Sequence, residues 1–419
     1  MMTKMTKTSF ESMGPRIVAR GLCATSHTQG RDAGAEVIAY GSGMLRITSQ
    51  AAFLALAASL AVACSDGGSA GTGGGGGVGG GTGGRGGSPE PQFEEFAWRT
   101  DIPDARTERL CAEAAAPDEA PDTTFIDCEI EGATFSSEDP ATKDELVVLA
   151  YNILRGFEVD AQLDMITSGV DFPVPDVLLL SEVDRGCQRT EFRNIARDYA
   201  ERLGYYYLYA TEFVELPADR GLTGPYDPPL CEHGNAIVSR YPLGNVRQIR
   251  HAENQSWYTP PGAPDPDEPR LGGRIAIAAD AKVGSKLVRF YVLHLESTLS
   301  VQEIRDAQAE EIAADSEGVT HPVIAGGDLN TFFYFGDLDG GPITEPAVKS
   351  FVDRGYVDAH QEIPLDERYT AFDPLDMVLD IILARGVEVT NAGRCSPERC
   401  GSLSDHLPVF AEVRGVLGQ

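Results

Sequence analysis

The sequence predicts an α/β fold in which packed β-sheets are covered on their outer sides by helices, and three observations predict it. Beyond residue 144 the chain carries eight short runs rich in Val, Ile and Leu, each of strand length and bounded by turn residues. Most of these runs are continuously apolar rather than alternating, the pattern of strands buried on both faces. Between some of them lie segments with apolar residues at helical spacing, and one-sided helices must lay that side on a sheet.

The amino-terminal elements come first. Residues 1–43 read as a mis-assigned extension upstream of the working start at Met44. From there Arg46 precedes an alanine-rich apolar segment, residues 51–63, that ends at Cys64-Ser65-Asp66. A basic start, an apolar core of about a dozen residues and small residues before a break are the parts of an export signal, too short to span a bilayer. The string Leu60-Ala61-Val62-Ala63-Cys64 resembles a bacterial lipoprotein signal, with Cys64 the residue to be lipidated. It departs from the usual pattern in having Ala61, not Leu, three residues before the cysteine. The expected location is the cell envelope, lipid-anchored to a bacterial membrane, or the exterior. Residues 65–88 are glycine-rich with no flanking strand or helix, so they read as a flexible linker and not as a phosphate cradle. Residues 89–143 are acidic, contain proline and are weakly patterned, a partly ordered lead-in to the domain expected over residues 144–415.

Within that domain the expected strands are Leu146-Val-Val-Leu-Ala-Tyr, Asp176-Val-Leu-Leu-Leu-Ser, Ala236-Ile-Val-Ser, Ile275-Ala-Ile-Ala-Ala, Leu287-Val-Arg-Phe-Tyr-Val-Leu, Pro322-Val-Ile-Ala-Gly, Met377-Val-Leu-Asp-Ile-Ile-Leu and Leu407-Pro-Val-Phe-Ala-Glu-Val. Helices are expected over residues 191–203, where Phe192, Ile195, Ala196, Tyr199 and Leu203 share a face, and over residues 300–314. Tyr205-Tyr-Tyr-Leu-Tyr reads as a strand of alternating buried rings in preference to a binding platform. Residues 259–273, rich in Pro, Gly and Asp, read as a surface loop.

Composition bounds the function. The chain has 419 residues, 34 Lys+Arg against 64 Asp+Glu and a net charge of −30, which removal of residues 1–64 would move to −33. Such acidity speaks against an extended cationic groove for nucleic acid or anionic lipid. It leaves room for a compact phosphate site in which metal ions supply positive charge. Beyond Cys23 and Cys64 six cysteines remain, an even number that favours disulfides in an exported chain. Local closure favours Cys111 with Cys128 and Cys395 with Cys400, which leaves Cys187 with Cys231. A zinc site is disfavoured by the lack of any CxxC or neighbouring pair of histidines.

Chemistry-bearing residues sit at the ends of the strand runs: Asn152, Glu182, His294, Asp328 with Asn330, Asp380, and Asp405 with His406. Singly, each is what a turn or a helix cap would use. Together they point to one edge of a layered fold, where strand ends converge and sites are built.

The strings Leu149-Ala-Tyr-Asn-Ile, Leu179-Leu-Ser-Glu-Val-Asp-Arg-Gly, His233-Gly-Asn-Ala-Ile-Val-Ser-Arg-Tyr-Pro-Leu, Val292-Leu-His-Leu-Glu-Ser, Ala325-Gly-Gly-Asp-Leu-Asn, Leu379-Asp-Ile-Ile-Leu and Ser404-Asp-His-Leu-Pro-Val stand in the order typical of the endonuclease/exonuclease/phosphatase family, which the chain resembles over about residues 144–415. That family includes deoxyribonuclease I, abasic-site endonucleases, neutral sphingomyelinases and inositol polyphosphate 5-phosphatases. The resemblance implies a four-layer α-β-β-α sandwich of two packed mixed β-sheets flanked by helices, and a metal-dependent hydrolase of phosphoester bonds. It implies Glu182, seconded by Asn152 and Asp405, as ligands of Mg²⁺ (or Mn²⁺), a hard cation suited to oxygen donors. Asp328 would orient or deprotonate the attacking water and Asn330 would donate to a phosphate oxygen. His294 and His406, the latter positioned by Asp405 or another carboxylate, would supply imidazoles for acid–base work, and Asp380 would partner a histidine or a second metal.

Arg155, Arg185 and Arg274 are candidate phosphate clamps, since a guanidinium can hold two oxygens at once. Glu232 and His233 precede the Gly234-Asn235-Ala236 turn, where relatives place groups that contact substrate or support a histidine, so Glu232 and Asn235 join the substrate-binding set. The chain departs from the family at Ser181, where relatives carry Gln before the metal glutamate. The expectation is a monomeric exported phosphodiesterase acting by direct water attack on a nucleic acid, a phospholipid such as sphingomyelin, or an inositol phosphate. A catalytically silent surface lipoprotein is the competing class, and the full motif set argues against it.

Overall fold

A computed structural model describes residues 92–102, 105, 108–111, 126–215, 231–257, 270–331, 345–372 and 376–418. The expected export segment, Cys64, the glycine linker, most of the 259–273 loop and the aromatic run 332–335 lie outside the described residues. Among those described, fourteen strands form two sheets: β1 (Glu131–Thr134), β2 (Glu145–Arg155), β3 (Val177–Arg185), β4 (Tyr206–Glu215), β5 (Cys231–Ser239), β6 (Leu243–Arg250), β7 (Arg270–Gly272), β8 (Ile275–Val283), β9 (Lys286–His294), β10 (Val323–Asp328), β11 (Val357–Asp358), β12 (Asp380–Arg385), β13 (Glu388–Arg394) and β14 (Val409–Arg414). The helices are α1 (Val159–Ser168), α2 (Ile195–Leu203), α3 (Gln302–Asp315), α4 (Pro346–Val352) and the single turn α5 (Pro397–Cys400). No helix among the described residues is long and apolar enough to cross a membrane.

One sheet runs β1-β4-β5-β3-β2-β14-β13, with β7 also pairing β4, and the other runs β11-β12-β10-β9-β8-β6. Both are mixed: β2 lies parallel to β3 and β9 to β10, while the other neighbours are antiparallel. Along β2 the side chains divide by parity, as a period of two requires. Leu146, Val148 and Ala150 join Ile277, Val292, Ile324 and Ile382 in the core between the sheets. Leu149, Tyr151 and Ile153 face outward onto Leu163 and Ile166 of α1 and Ile195 and Tyr199 of α2. On the far side Tyr291, Leu293 and Ala325 pack against Ala309 and Ile312 of α3 and Phe351 of α4. Strands apolar on both faces are therefore needed, and the result is two packed sheets flanked by helices.

Local chemistry sets the element ends. Helix α2 starts later than the apolar spacing suggested because Glu191 and Phe192 take positive φ values (57° and 61°) and the Asn194 side chain caps the Arg197 N–H. It ends at Gly204, φ 71°, in the left-handed region. Strand β1 lies inside the stretch read as lead-in. Glu-Gly-Ala-Thr has no strand pattern of its own, but it pairs with Tyr206–Tyr209 residue for residue, and Glu131 accepts hydrogen bonds from Arg185, Asn194 and Tyr207. The tyrosine run is itself strand, with Tyr207 and Tyr209 fully buried. Disulfides link Cys111–Cys128, Cys187–Cys231 and Cys395–Cys400, so sulfur is withdrawn from any metal chemistry at these positions.

Candidate active site

Strand register brings the polar residues together at one end of the sandwich. Asp328, the last residue of β10, stands opposite His294 on β9 and opposite Asp380 on β12. Across the inter-sheet space the ends of β2 and β3 carry Asn152 and Glu182. Both strands lose register there, β2 against β3 between Asn152 and Arg155 and β3 against β5 between Leu180 and Val183. Bulges of this kind re-aim side chains at the cost of backbone strain. Leu154, Arg155, Glu182 and Asn330 all have φ between 46° and 65°, values that β-carbons disfavour, so the strain gathers where the chemistry is. Gly327 makes the approach of β10 to β9 possible. Its φ is 143°, and a β-carbon there would sit 2.0 Å from the Leu293 carbonyl oxygen.

Asp328 is the hub. Its Oδ2 accepts from Asn152 Nδ2 at 3.1 Å and lies 3.8 Å from the Nε2 of both His294 and His406. Its Oδ1 accepts the Asn330 backbone N–H at 2.9 Å. Asn152 also donates to Glu182 Oε1 at 3.3 Å, while its Oδ1 accepts the Leu154 N–H at 3.1 Å. Two carboxylates on one side and an N–H on the other fix the amide orientation. Asn152 thus bridges two carboxylates through its nitrogen, where the sequence reading had it present an oxygen to a metal.

Two histidines are oriented by buried carboxylates through Nδ1. His406 Nδ1 lies 2.7 Å from Asp380 Oδ2, so Asp380, and not Asp405, positions this ring. Burial opposes its charge, but the Asp380 and Asp328 carboxylates raise the imidazole well above its ordinary range. His294 Nδ1 faces Glu212 Oε2 at 3.1 Å and Arg274 Nη1 at 2.7 Å. The carboxylate needs a proton on Nδ1 and the guanidinium needs a lone pair, so the ring serves one at a time. Burial would raise the Glu212 carboxyl, yet His294 and Arg274 hold it down at about 2. Glu212 was missed from sequence. It carries no motif, and its only signal is a buried carboxylate in an aromatic strand, turned across the sheets by a bulge between Thr211 and Phe213.

The remaining candidates divide. Arg274 reaches Glu212, His294 and Ser297 Oγ, within electrostatic reach of Glu182 and Asp328. Arg155 Nη1 is 3.8 Å from Glu182 Oε2. Asn330 donates from Nδ2 to the Leu295 carbonyl at 3.0 Å, and Asp405 stands exposed beside His406. Asn235 donates from Nδ2 to Glu212 Oε1 and to the Ile275 carbonyl, while its Oδ1 is buried without a partner. Arg185 and Glu232, expected at the substrate, lie instead in a buried network. Arg185 is buried among Glu131, Glu232 and Glu108, and Glu232 also accepts the Leu110 and Cys111 N–H groups, a structural network that ties the lead-in to the sheet. Of the pair before the turn it is His233, held by Asp184, that lies within electrostatic reach of Glu182.

The donor set fits a hard divalent cation. Glu182 Oε2 is buried and accepts no hydrogen bond. Burial should raise its carboxyl, but Arg155 and three histidines hold it well below the usual range, so it is ionised. Carboxylate oxygens of Glu182 and Asp405 at one cleft are the ligand type Mg²⁺ and Mn²⁺ take.

Comparison with known proteins identifies the family. A model of the endonuclease/exonuclease/phosphatase family matches residues 149–406, which spans Asn152 through His406. The chain belongs to the endonuclease/exonuclease/phosphatase family. Family members typically hydrolyse phosphoester bonds. Among solved structures, the family protein of Beutenbergia cavernae is 18% identical over 65% of this chain and 72% of its own, with a TM-score of 0.46. The catalytic domain of human Nocturnin with a bound sulfate anion is 19% identical over 65% of this chain and 96% of its own, TM-score 0.46. Caenorhabditis elegans TDP2 is 18% identical over 64% and 98%, TM-score 0.42. A search of curated proteins gives no match.

Proposed function

We propose that this chain is an exported, Mg²⁺- or Mn²⁺-dependent phosphodiesterase that cleaves its substrate by direct attack of water. The observation that carries the reading is Asp328 Oδ2 set 3.8 Å from the Nε2 atoms of both His294 and His406, each ring aligned from behind by a buried carboxylate. That is a proton acceptor between two oriented imidazoles, what an in-line hydrolysis needs.

Asp328 takes the proton of the attacking water and Asn152 keeps its carboxylate aimed. His406, held as imidazolium by Asp380 and Asp328, donates from Nε2 to the phosphoryl group as charge builds on its oxygens. Arg274 places His294 and lends positive charge. Glu182 and Asp405 would hold the cation, which when bound neutralises phosphate charge. With three acidic side chains at the cleft, Glu182, Asp328 and Asp405, the phosphate-bearing substrate depends on that cation for admission.

Within the phosphoester class the acidic chain and the indole of Trp257 beside Arg270 and Arg274 favour a compact substrate, with a phospholipid headgroup or inositol phosphate ahead of long nucleic acid. A chelator-controlled panel of plasmid DNA, RNA, sphingomyelin, phosphatidylinositol and inositol phosphates tests this. Turnover of plasmid DNA far above the others would reverse the ranking. Export with a lipid anchor at Cys64, and a monomeric state, belong to the same proposal.

A further inference from the structure

Asp380 and His406 belong to different sheets. Asp380 opens β12 in one, and His406 stands just before β14 in the other, yet Asp380 Oδ2 lies 2.7 Å from His406 Nδ1. A contact of that length across two sheets needs something that fixes the gap between their backbones. The loop between β11 and β12 supplies it, through Thr370.

Thr370 is wholly buried, and it binds on both sides of the gap. Its Oγ1 accepts the backbone N–H groups of Leu379 and Asp380, both at 3.1 Å. Its carbonyl oxygen accepts the N–H of Leu407, the residue joined to His406, at 2.8 Å. The distance from Oγ1 to the carbonyl oxygen is limited by the covalent geometry of a single residue, so the two segments cannot drift apart while these bonds hold. The N–H of His406 itself goes to Ser404 Oγ at 3.1 Å, so the backbone that carries the ring is fixed on both sides.

The loop is in turn tied down. The Thr370 N–H donates to the Met377 carbonyl at 2.8 Å, and buried Arg368 donates from Nη2 to Asp358 Oδ2 at 2.9 Å. A side chain that served packing alone would need no hydroxyl here. Valine has the same branched shape and accepts nothing, which would leave two buried N–H groups at the start of β12 without Oγ1.

We propose that Thr370 is a positioning residue for the hydrolytic reaction, its hydroxyl and carbonyl setting the span across which Asp380 aligns His406. This rests on reading the cleft as a phosphoester site with His406 as its acid. Thr370 acts through Asp380, so its loss misplaces the ring and slows the chemical step while substrate binding stays.

The test compares Thr370→Val and Thr370→Ser with the unaltered full chain, supplied with Mg²⁺, on bis(p-nitrophenyl) phosphate. Thr370→Val keeps the shape and removes the acceptor, so kcat should fall by roughly 10- to 100-fold with KM within about threefold. Thr370→Ser keeps the acceptor and should hold kcat within about threefold of the unaltered protein. A second readout is the ¹H resonance of the His406 Nδ1–H, which reports its hydrogen bond to Asp380. It should move upfield in Thr370→Val and stay in place in Thr370→Ser. Should Thr370→Val fail to fold, Thr370→Ala, which leaves room for water at the freed N–H groups, takes its place in both measurements. An unchanged kcat or an unmoved His406 resonance without the hydroxyl overturns the inference, as does a Thr370→Ser protein as slow as Thr370→Val. An unaltered chain that does not turn over the ester removes the phosphoester reading, and the resonance still tests the clamp.

Discussion

Replacing Asp380 by Asn probes the pairing that makes His406 an acid. The side chains have the same shape, so the core around β12 keeps its packing, and what is lost is one negative charge 2.7 Å from Nδ1 in a buried setting. A hydrogen bond to a charged group contributes about 1.5–3 kcal/mol, so the cationic form of His406 loses stabilisation of that order and its pKa falls. The sign follows from the charges. Asp380 and Asp328 raise His406 because they favour its cationic form, so removing one of them makes the ring give up its proton at lower pH. The assay is the pH dependence of kcat on bis(p-nitrophenyl) phosphate. The alkaline limb of the variant should move to lower pH, with a loss of roughly 10- to 150-fold at pH values between the two limbs. An alkaline limb that stays in place in a folded Asp380→Asn protein would refute the assignment of the acid to His406.

Two further outcomes are expected. Glu345, buried at the start of α4, has its carboxyl pushed up to about 7 by desolvation, with Arg305 opposing and Asp306 adding. Because its folded pKa exceeds the ordinary 4.5, stability is whole below pH 4.5 and falls as pH rises toward 7, by up to about 3 kcal/mol. Glu345→Gln should therefore raise Tm at pH 8 and change it little at pH 4.5; an equal shift at both pH values would contradict the linkage. Cys64→Ser should abolish incorporation of labelled fatty acid and release the protein from the membrane fraction of its host, whereas continued labelling would remove Cys64 as the anchor.

The parts of the site legible in the sequence are those that a short string fixes. Asp328 and Asn330 sit within one tight turn, and Ser404-Asp405-His406 is contiguous, so local sequence carries their geometry. The eight apolar runs were legible for the same reason, since burial on both faces leaves a composition that can be read without knowing the partner strand. Partnerships made by register were not legible. Glu212 meets His294 across the two sheets, 82 positions away, through a bulge that no local pattern marks. Glu232 and His233 are adjacent in sequence and point to opposite faces of β5, so choosing between them required the pleat. Arg185 reads like any cleft arginine until Glu131 arrives from a segment with no strand pattern to neutralise it. Helix α1 shows the remaining kind of miss: Val159, Leu163 and Ile166 give it an apolar face, but only ten residues carry the period.

The measurement closest to the central claim is hydrolysis of bis(p-nitrophenyl) phosphate by protein stripped with EDTA, then supplied with Mg²⁺ or Mn²⁺, beside the Asp328→Asn variant under the same conditions. The account predicts no turnover after stripping, recovery with either cation, and a rate for Asp328→Asn lower by on the order of 10²- to 10⁴-fold. Turnover that is indifferent to EDTA, or that survives in full without the Asp328 carboxylate, would contradict it.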